Sequence, residues 1–243
     1  MADVNQILRA YGKHLQKNVR LKALAEKAWS YEDAHKFADE AAGLLCDVLK
    51  LYMDPATVTY DDAVRIFEAT MQKNYSEVTK VCAKVQRGMY RKAGVGLNAL
   101  TPEFNAEKAR GIAQVITDAE EVTDDYMRNL VKNNALGVVD DMIRINSEAS
   151  ENVGLYVHIV RRYDDVGLHN GKDVCQWCMD RQGEWDNYQE ALAAGAFERH
   201  PGCGCIIDYH VGKTHTWSNT KGAWNDVKRY RSRNKDPAGH KEE

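Results

Sequence analysis

Through most of the first 150 residues, apolar side chains return every three or four positions. The clearest run opens at Thr59. Val64, Phe67, Met71, Tyr75, Val78, Cys82, Val85 and Met89 fall on one face of a helix of about thirty residues. Thr59 with Asp62 has the pattern of a capping box, and the AGVG at 93–96 stops the helix. Upstream, Val4, Leu8, Tyr11 and Leu15 predict a first amphipathic helix. Ala34, Phe37, Ala41, Leu44 and Val48 predict a second, which ends near Asp54 and Pro55. Downstream, Thr101 as N-cap and Pro102 at the first helical position predict a helix, followed by a helical run through Val122, Tyr126, Leu130, Val139 and Ile143. Cys46 and Cys82 lie on apolar stripes and read as core thiols.

Around Ser150 the pattern changes. GLYVHIVRRYD at 154–164 and CIIDYHV at 205–211 are rich in β-branched and aromatic residues and predict strands. Between them lie glycines at 167, 171, 183, 195, 202 and 204 and an Ala-rich run, YQEALAAGAFERH, long enough for a helical turn or two. The expected fold class is α+β: an elongated, mainly helical body over 1–150, a small cysteine-rich α+β module over 151–225, and a basic, flexible tail over 226–243. Neither an internal repeat nor a low-complexity tract interrupts this order.

With 243 residues, 44% of them hydrophobic, the chain can bury a core for one large or two modest domains. The opening MADVNQILRAYGKHLQKN lacks the apolar core of a signal peptide, and no stretch approaches the roughly 20 apolar residues of a membrane span. The chain therefore reads as soluble, made in a reducing cytosol, with no membrane partner. A net charge of −3 argues against a surface that grips nucleic acid throughout. Between Asp226 and Lys241 the balance differs: Lys228, Arg229, Arg231, Arg233, Lys235 and Lys241 stand against Asp226 and Asp236. This stretch reads as a solvated terminus, with weak, sequence-independent contact to DNA as the alternative. Trp217, Trp224 and Tyr230 interleave with these charges; they can stack on bases, but at such spacings they more often anchor a tail on its own protein.

Four of the six cysteines fall in the smaller module: Cys175-x2-Cys178, then 24 residues, then Cys203-x-Cys205. A C-x2-C turn brings two thiolates to one metal, and structural zinc takes four sulfur or imidazole ligands tetrahedrally. In an extended segment Cys203 and Cys205 point to the same side, while Gly202 and Gly204 let the backbone bend around a small site. His200 is close enough in sequence to replace one of them. The expected site is one structural zinc held by Cys175 and Cys178 with two of His200, Cys203 and Cys205, four sulfurs being the favoured set. Reduced thiols packed as small hydrophobes, and disulfides formed after release from a cell, are the competing readings. A module so poor in apolar residues favours a cross-link of some kind, and no βαβ pattern supports redox catalysis at the CxxC.

No H-E-x-x-H, zinc-deaminase, phosphate-loop, dinucleotide-binding or nucleophile-elbow motif is present, so no catalytic residue is assigned. The remaining enzymatic candidates are Asp208, His210 and His215. The first two alternate onto one face of a strand, as in a metal-dependent DNA nuclease with a zinc-stapled module, the alternative functional reading.

CQWCMDRQGEWD, followed by FERHPGCGCIIDYHVGKTHTWSN and preceded by a strand ending in RRYDD, resembles the C-terminal module of the head-morphogenesis family, the Mu-type minor head proteins of tailed phages. The resemblance is sharpest over about 155–225. The family's CxxC and H-P-x-C-x-C fall at Cys175, Cys178, His200, Pro201, Cys203 and Cys205, and Gly204 stands where arginine often separates the last two cysteines. The resemblance implies a virion component present in few copies, assembled in the host cytoplasm against the portal or major capsid protein, with no established catalytic activity.

Overall fold

The computed structural model describes residues 3–163, 175–200 and 202–213. His215, the aromatic residues at 217, 224 and 230, and the basic tail lie outside the described residues. Six helices come first: α1 (Val4–Lys17), α2 (Val19–Lys27), α3 (Tyr31–Tyr52), α4 (Tyr60–Lys92), α5 (Ala106–Asp118) and α6 (Asp124–Asn152). They are followed by β1 (Leu155–Arg162), the single turn α7 (Gln176–Met179), β2 (Gly183–Trp185), α8 (Tyr188–Ala193) and β3 (Ile206–Lys213). The protein is mainly helical with a small antiparallel sheet near its C-terminal end, a mixed α+β fold.

The helix starts follow local chemistry. Thr59 Oγ1 accepts the Asp62 N–H at 3.3 Å and opens α4. Ser30 and Asp33 form a reciprocal capping box at α3. Asn18 caps α2, which follows α1 after one residue, and the apolar spacing alone did not separate the two. One start is corrected. Thr101 and Pro102 do not open α5; Asn105 does, its side chain accepting the Lys108 N–H at 3.0 Å. Asx at an N-cap outcompetes the Thr-Pro pair when the intervening Phe104 is drawn into contact with Tyr75 on α4.

α3 runs through the middle of the bundle, packed against α1, α2, α4 and α6. Ala34, Ala38, Ala41 and Ala42 on its buried surface let neighbours approach closely, while Phe37, Leu45 and Leu49 fill the remaining space. Cys46 and Cys82 are fully buried here, as their stripe positions predict. Burial pushes the Cys46 thiol up to about 12, so both behave as inert core groups.

β1 lies between β2 and β3, antiparallel to both. Residues alternate across such a sheet. Val157 and Ile159 of β1 and Ile207 and Tyr209 of β3 join the same hydrophobic core as the helices. Tyr209 Oη lies 2.8 Å from Ser150 Oγ on α6, and its ring meets Tyr31 of α3 with centroids 6.0 Å apart. The sheet is therefore laid on α3 and α6. The short strand β2 carries no apolar alternation in the sequence and becomes visible only through its pairing with β1.

Candidate metal centre

The two cysteine pairs meet at one point. Cys175 is the N-cap residue of α7, and its carbonyl accepts the N–H groups of Cys178 (3.0 Å) and Met179 (3.1 Å). One helical turn therefore presents both sulfurs on one side. The second half comes from a tight turn: the Cys203 N–H donates to the His200 carbonyl at 3.0 Å. Gly202, at the third position of that turn, has φ +77°, a value glycine adopts without penalty.

His200 Nε2 lies 2.9 Å from Cys178 Sγ and 3.2 Å from Cys175 Sγ, and Cys178 Sγ is 3.7 Å from Cys203 Sγ. Two donor groups result, Cys175–Cys178–His200 and Cys178–Cys203–Cys205, each with all its donor atoms within 4.8 Å of one another. Cys178 belongs to both. All five residues expected at the site are thus brought together, and Cys178 is its centre. None of the six cysteines is in a disulfide.

The donors could hold a metal ion. Thiolate and imidazole suit zinc and related soft or borderline ions. With Zn–S bonds of about 2.3 Å, two sulfurs on one tetrahedral ion sit roughly 3.8 Å apart, close to the Cys178–Cys203 separation. Electrostatics point the same way. A hydrogen bond from Cys205, set against the cost of burial and helped by the Arg199 and Arg161 charges, holds the Cys203 thiol low, at about 4. Burial and the neighbouring Cys203 push Cys178 up to about 12, and Cys205 rises through its hydrogen bond to Cys203. Among the three adjacent sulfurs, ionisation is thus favoured at Cys203 and opposed at Cys178 and Cys205. A bound cation would allow more of them to ionise.

Arginines surround the thiols. Arg161, 1% exposed, donates to the carbonyls of Gly195 (3.3 Å), Ala196 (2.8 Å) and Glu198 (2.5 Å) and reaches Cys203 Sγ at 3.7 Å. Arg161 and Arg181 lie over the Trp177 ring at 5.4 and 3.9 Å, and Trp177 meets the His200 ring edge-on at 4.9 Å. Arg199 ties the site to the bundle. It donates to the carbonyls of Cys203 (3.1 Å) and Cys205 (2.7 Å) and forks onto Asp140 of α6, which also accepts from His35 Nε2 of α3 at 2.9 Å. Burial works against the Asp140 charge, but Arg199 and His35 outweigh it and hold the carboxyl below its ordinary range.

Sequence reasoning missed these supports. Arg161 lies on the apolar-facing side of β1 and breaks its alternation, a signal that a buried charge there has partners. Asp140 sits within the buried stripe of α6 and was open to the same inference. Of the enzymatic candidates, Asp208 and His210 lie on the face of β3 opposite the core, with 3.6 Å between His210 Nε2 and Asp208 Oδ2. None of the described helices is long and apolar enough to cross a membrane. No family model, curated protein or solved structure matches the chain.

Proposed function

We propose that the protein is a minor head component of a tailed phage, acting in head assembly against the portal or the major capsid protein, with one structural zinc in its C-terminal region. The observation that carries this reading is convergence. The positions on which the family resemblance rests, separated by up to 30 residues, supply the two donor groups that share Cys178. A CxxC and an H-P-x-C-x-C that merely occurred together by chance would have no reason to meet.

Within this reading the ligands are Cys175, Cys178, His200 and Cys203. His200 Nε2 stands close to both sulfurs of the CxxC, whereas Cys205 hydrogen-bonds to Cys203. The closeness of His200 to both CxxC sulfurs prefers a mixed site over four sulfurs. The metal would supply a cross-link between α7 and the turn before β3. The protein's own residues do the rest: Arg161 and Arg199 offset thiolate charge, and Arg199 fixes the whole turn on Asp140. The basic tail is assigned weak contact with packaged DNA.

A mass-spectrometric inventory of purified particles of a phage encoding the chain tests the assignment. The protein is expected in particles, at low copy number, and in assembly intermediates together with portal or shell protein. Its absence from both overturns the proposal.

A further inference from the structure

The sheet has two chemically different faces. Opposite the core-facing residues, His158 of β1 and His210 of β3 are directly paired, and Val160 beside them is paired with Glu184 on β2 and with Asp208 on β3. Paired residues share a face, with Cβ atoms ~4.5–5.5 Å apart. Two imidazoles therefore lie side by side, and the carboxylates of Glu184 and Asp208 flank Val160 one row further along the same face.

His158 is 1% exposed. Its Nδ1 lies 2.7 Å from Asp186 Oδ1, and the same oxygen accepts from Tyr156 Oη at 2.5 Å. A carboxylate at that position sets the tautomer with the proton on Nδ1 and turns the Nε2 lone pair the other way. That Nε2 is buried and has no hydrogen-bond partner. It faces Glu184 Oε2 at 3.5 Å, too far for a hydrogen bond. The spacing suits two donors sharing an ion: at bond lengths of about 2.0–2.1 Å, neighbouring ligand atoms in a tetrahedral site stand roughly 3.3 Å apart. The second histidine–carboxylate pair, His210 and Asp208, repeats it at 3.6 Å.

We infer that this face binds a divalent first-row metal ion, separate from the cysteine centre, through His158 Nε2, His210 and the carboxylates of Glu184 and Asp208. Asp186 is a positioning residue, holding the His158 ring as carboxylates commonly hold metal-bound imidazoles. Nitrogen and oxygen donors of this kind suit zinc, cobalt or manganese. Among the described residues only the cysteine groups have three donor atoms within 4.8 Å of one another, so binding here draws the donors inward. Glu184 has the freedom to move, its side chain being 39% exposed, and His210, at 34%, leaves a route for the ion.

The test is a cobalt(II) titration of the full chain, stripped of metal and kept reduced. Thiolate ligation gives an intense near-ultraviolet charge-transfer band; a nitrogen and oxygen site gives only weak visible absorption. The wild type is expected to take up two equivalents, one with each signature. Glu184→Gln, a change at a partly exposed position that leaves folding intact, and His158→Gln are each expected to weaken the second equivalent by about tenfold or more and to keep the charge-transfer band. Uptake of a single equivalent, all of it in that band, would leave His158 a structural ion pair and overturn the inference. So would a second equivalent that binds both variants as tightly as the wild type. The two signatures are read separately, so failure of the cysteine centre does not decide this one.

Discussion

Within the helices, Phe37, Leu45, Leu49, Phe67, Met71 and Ile143 are buried side by side. Around Cys178 the buried cluster is three thiols with Trp177 packed against them, and the large buried side chain beside it is an arginine, Arg161. The first region is held by apolar area, which is non-directional and tolerates exchanges of similar volume. The second depends on directed contacts: a turn closed at Gly202, sulfurs at fixed separation, and guanidinium groups on particular carbonyls. Loss of one member should therefore be far more damaging in the second region than in the first.

The strongest way to break that contrast is to exchange one cysteine in each. Cys178→Ser removes the sulfur common to both donor groups. It should abolish metal retention and forfeit apparent binding energy on the order of 10 kcal/mol. Cys82→Ala, at an equally buried position among the helices, should keep full metal and cost about 1–2 kcal/mol. Metal analysis of protein purified without chelator, together with urea unfolding, reads both. Equal losses from the two substitutions would show that the thiol cluster is only a small satellite of the hydrophobic core.

A second pair sharpens the ligand set. His200→Ala should weaken zinc binding by well over the roughly 10–100-fold typical of supporting residues, whereas Cys205→Ser should stay within that range. Competition against a chelator of known affinity distinguishes them. The reverse order would restore the four-sulfur site.

The same contrast explains what could be read from the chain alone. Helices α1, α3, α4 and α6 follow from their apolar spacing, and β1 and β3 from β-branched alternation, because burial of one face imposes a period on the sequence. α2 and the start of α5 were missed because caps there compete over one or two residues, which periodicity does not register. At the cysteine cluster the residue types and their pairing were legible: the five candidates, of which four were expected to share an ion, lie close together. The central place of Cys178, the closeness of His200 and the Arg199–Asp140 fork were not. They depend on long-range docking of the turn onto α6, and no local pattern encodes the partner of a buried charge.

That fork is where the two regions meet, and its effect should be intermediate. Asp140→Asn leaves Arg199 buried without a full counter-charge. Breaking a buried pair in this way costs about 3–5 kcal/mol. Replacing both, as Asp140→Leu with Arg199→Met, should recover part of the loss, since neither charge is then left unpaired. The carboxylate also sets a pH dependence. Its folded pKa lies below the unfolded value, so the folded state binds fewer protons. The stabilisation is complete above about pH 4 and disappears as the pH falls through the lowered folded value. Acid unfolding followed in wild type and Asp140→Asn should show this component only in the wild type.

The smallest expected effect lies at the start of α4. Thr59 Oγ1 accepts the Asp62 N–H at 3.3 Å and satisfies one of the donors that a helix leaves open at its first turn. Thr59→Ala removes that acceptor and should cost about 1 kcal/mol, seen as a lower urea midpoint with an unchanged slope. Zinc affinity should not change, because the cap supports the bundle and the cysteine cluster draws its order from α7, the His200 turn and Arg199. The sheet nonetheless shares its inner face with the helical core, so independence is not guaranteed by the architecture. A fall in zinc affinity parallel to the fall in midpoint would mean that ordering the cysteine region draws on the stability of the bundle, and that the two regions, however differently they are held, unfold as one.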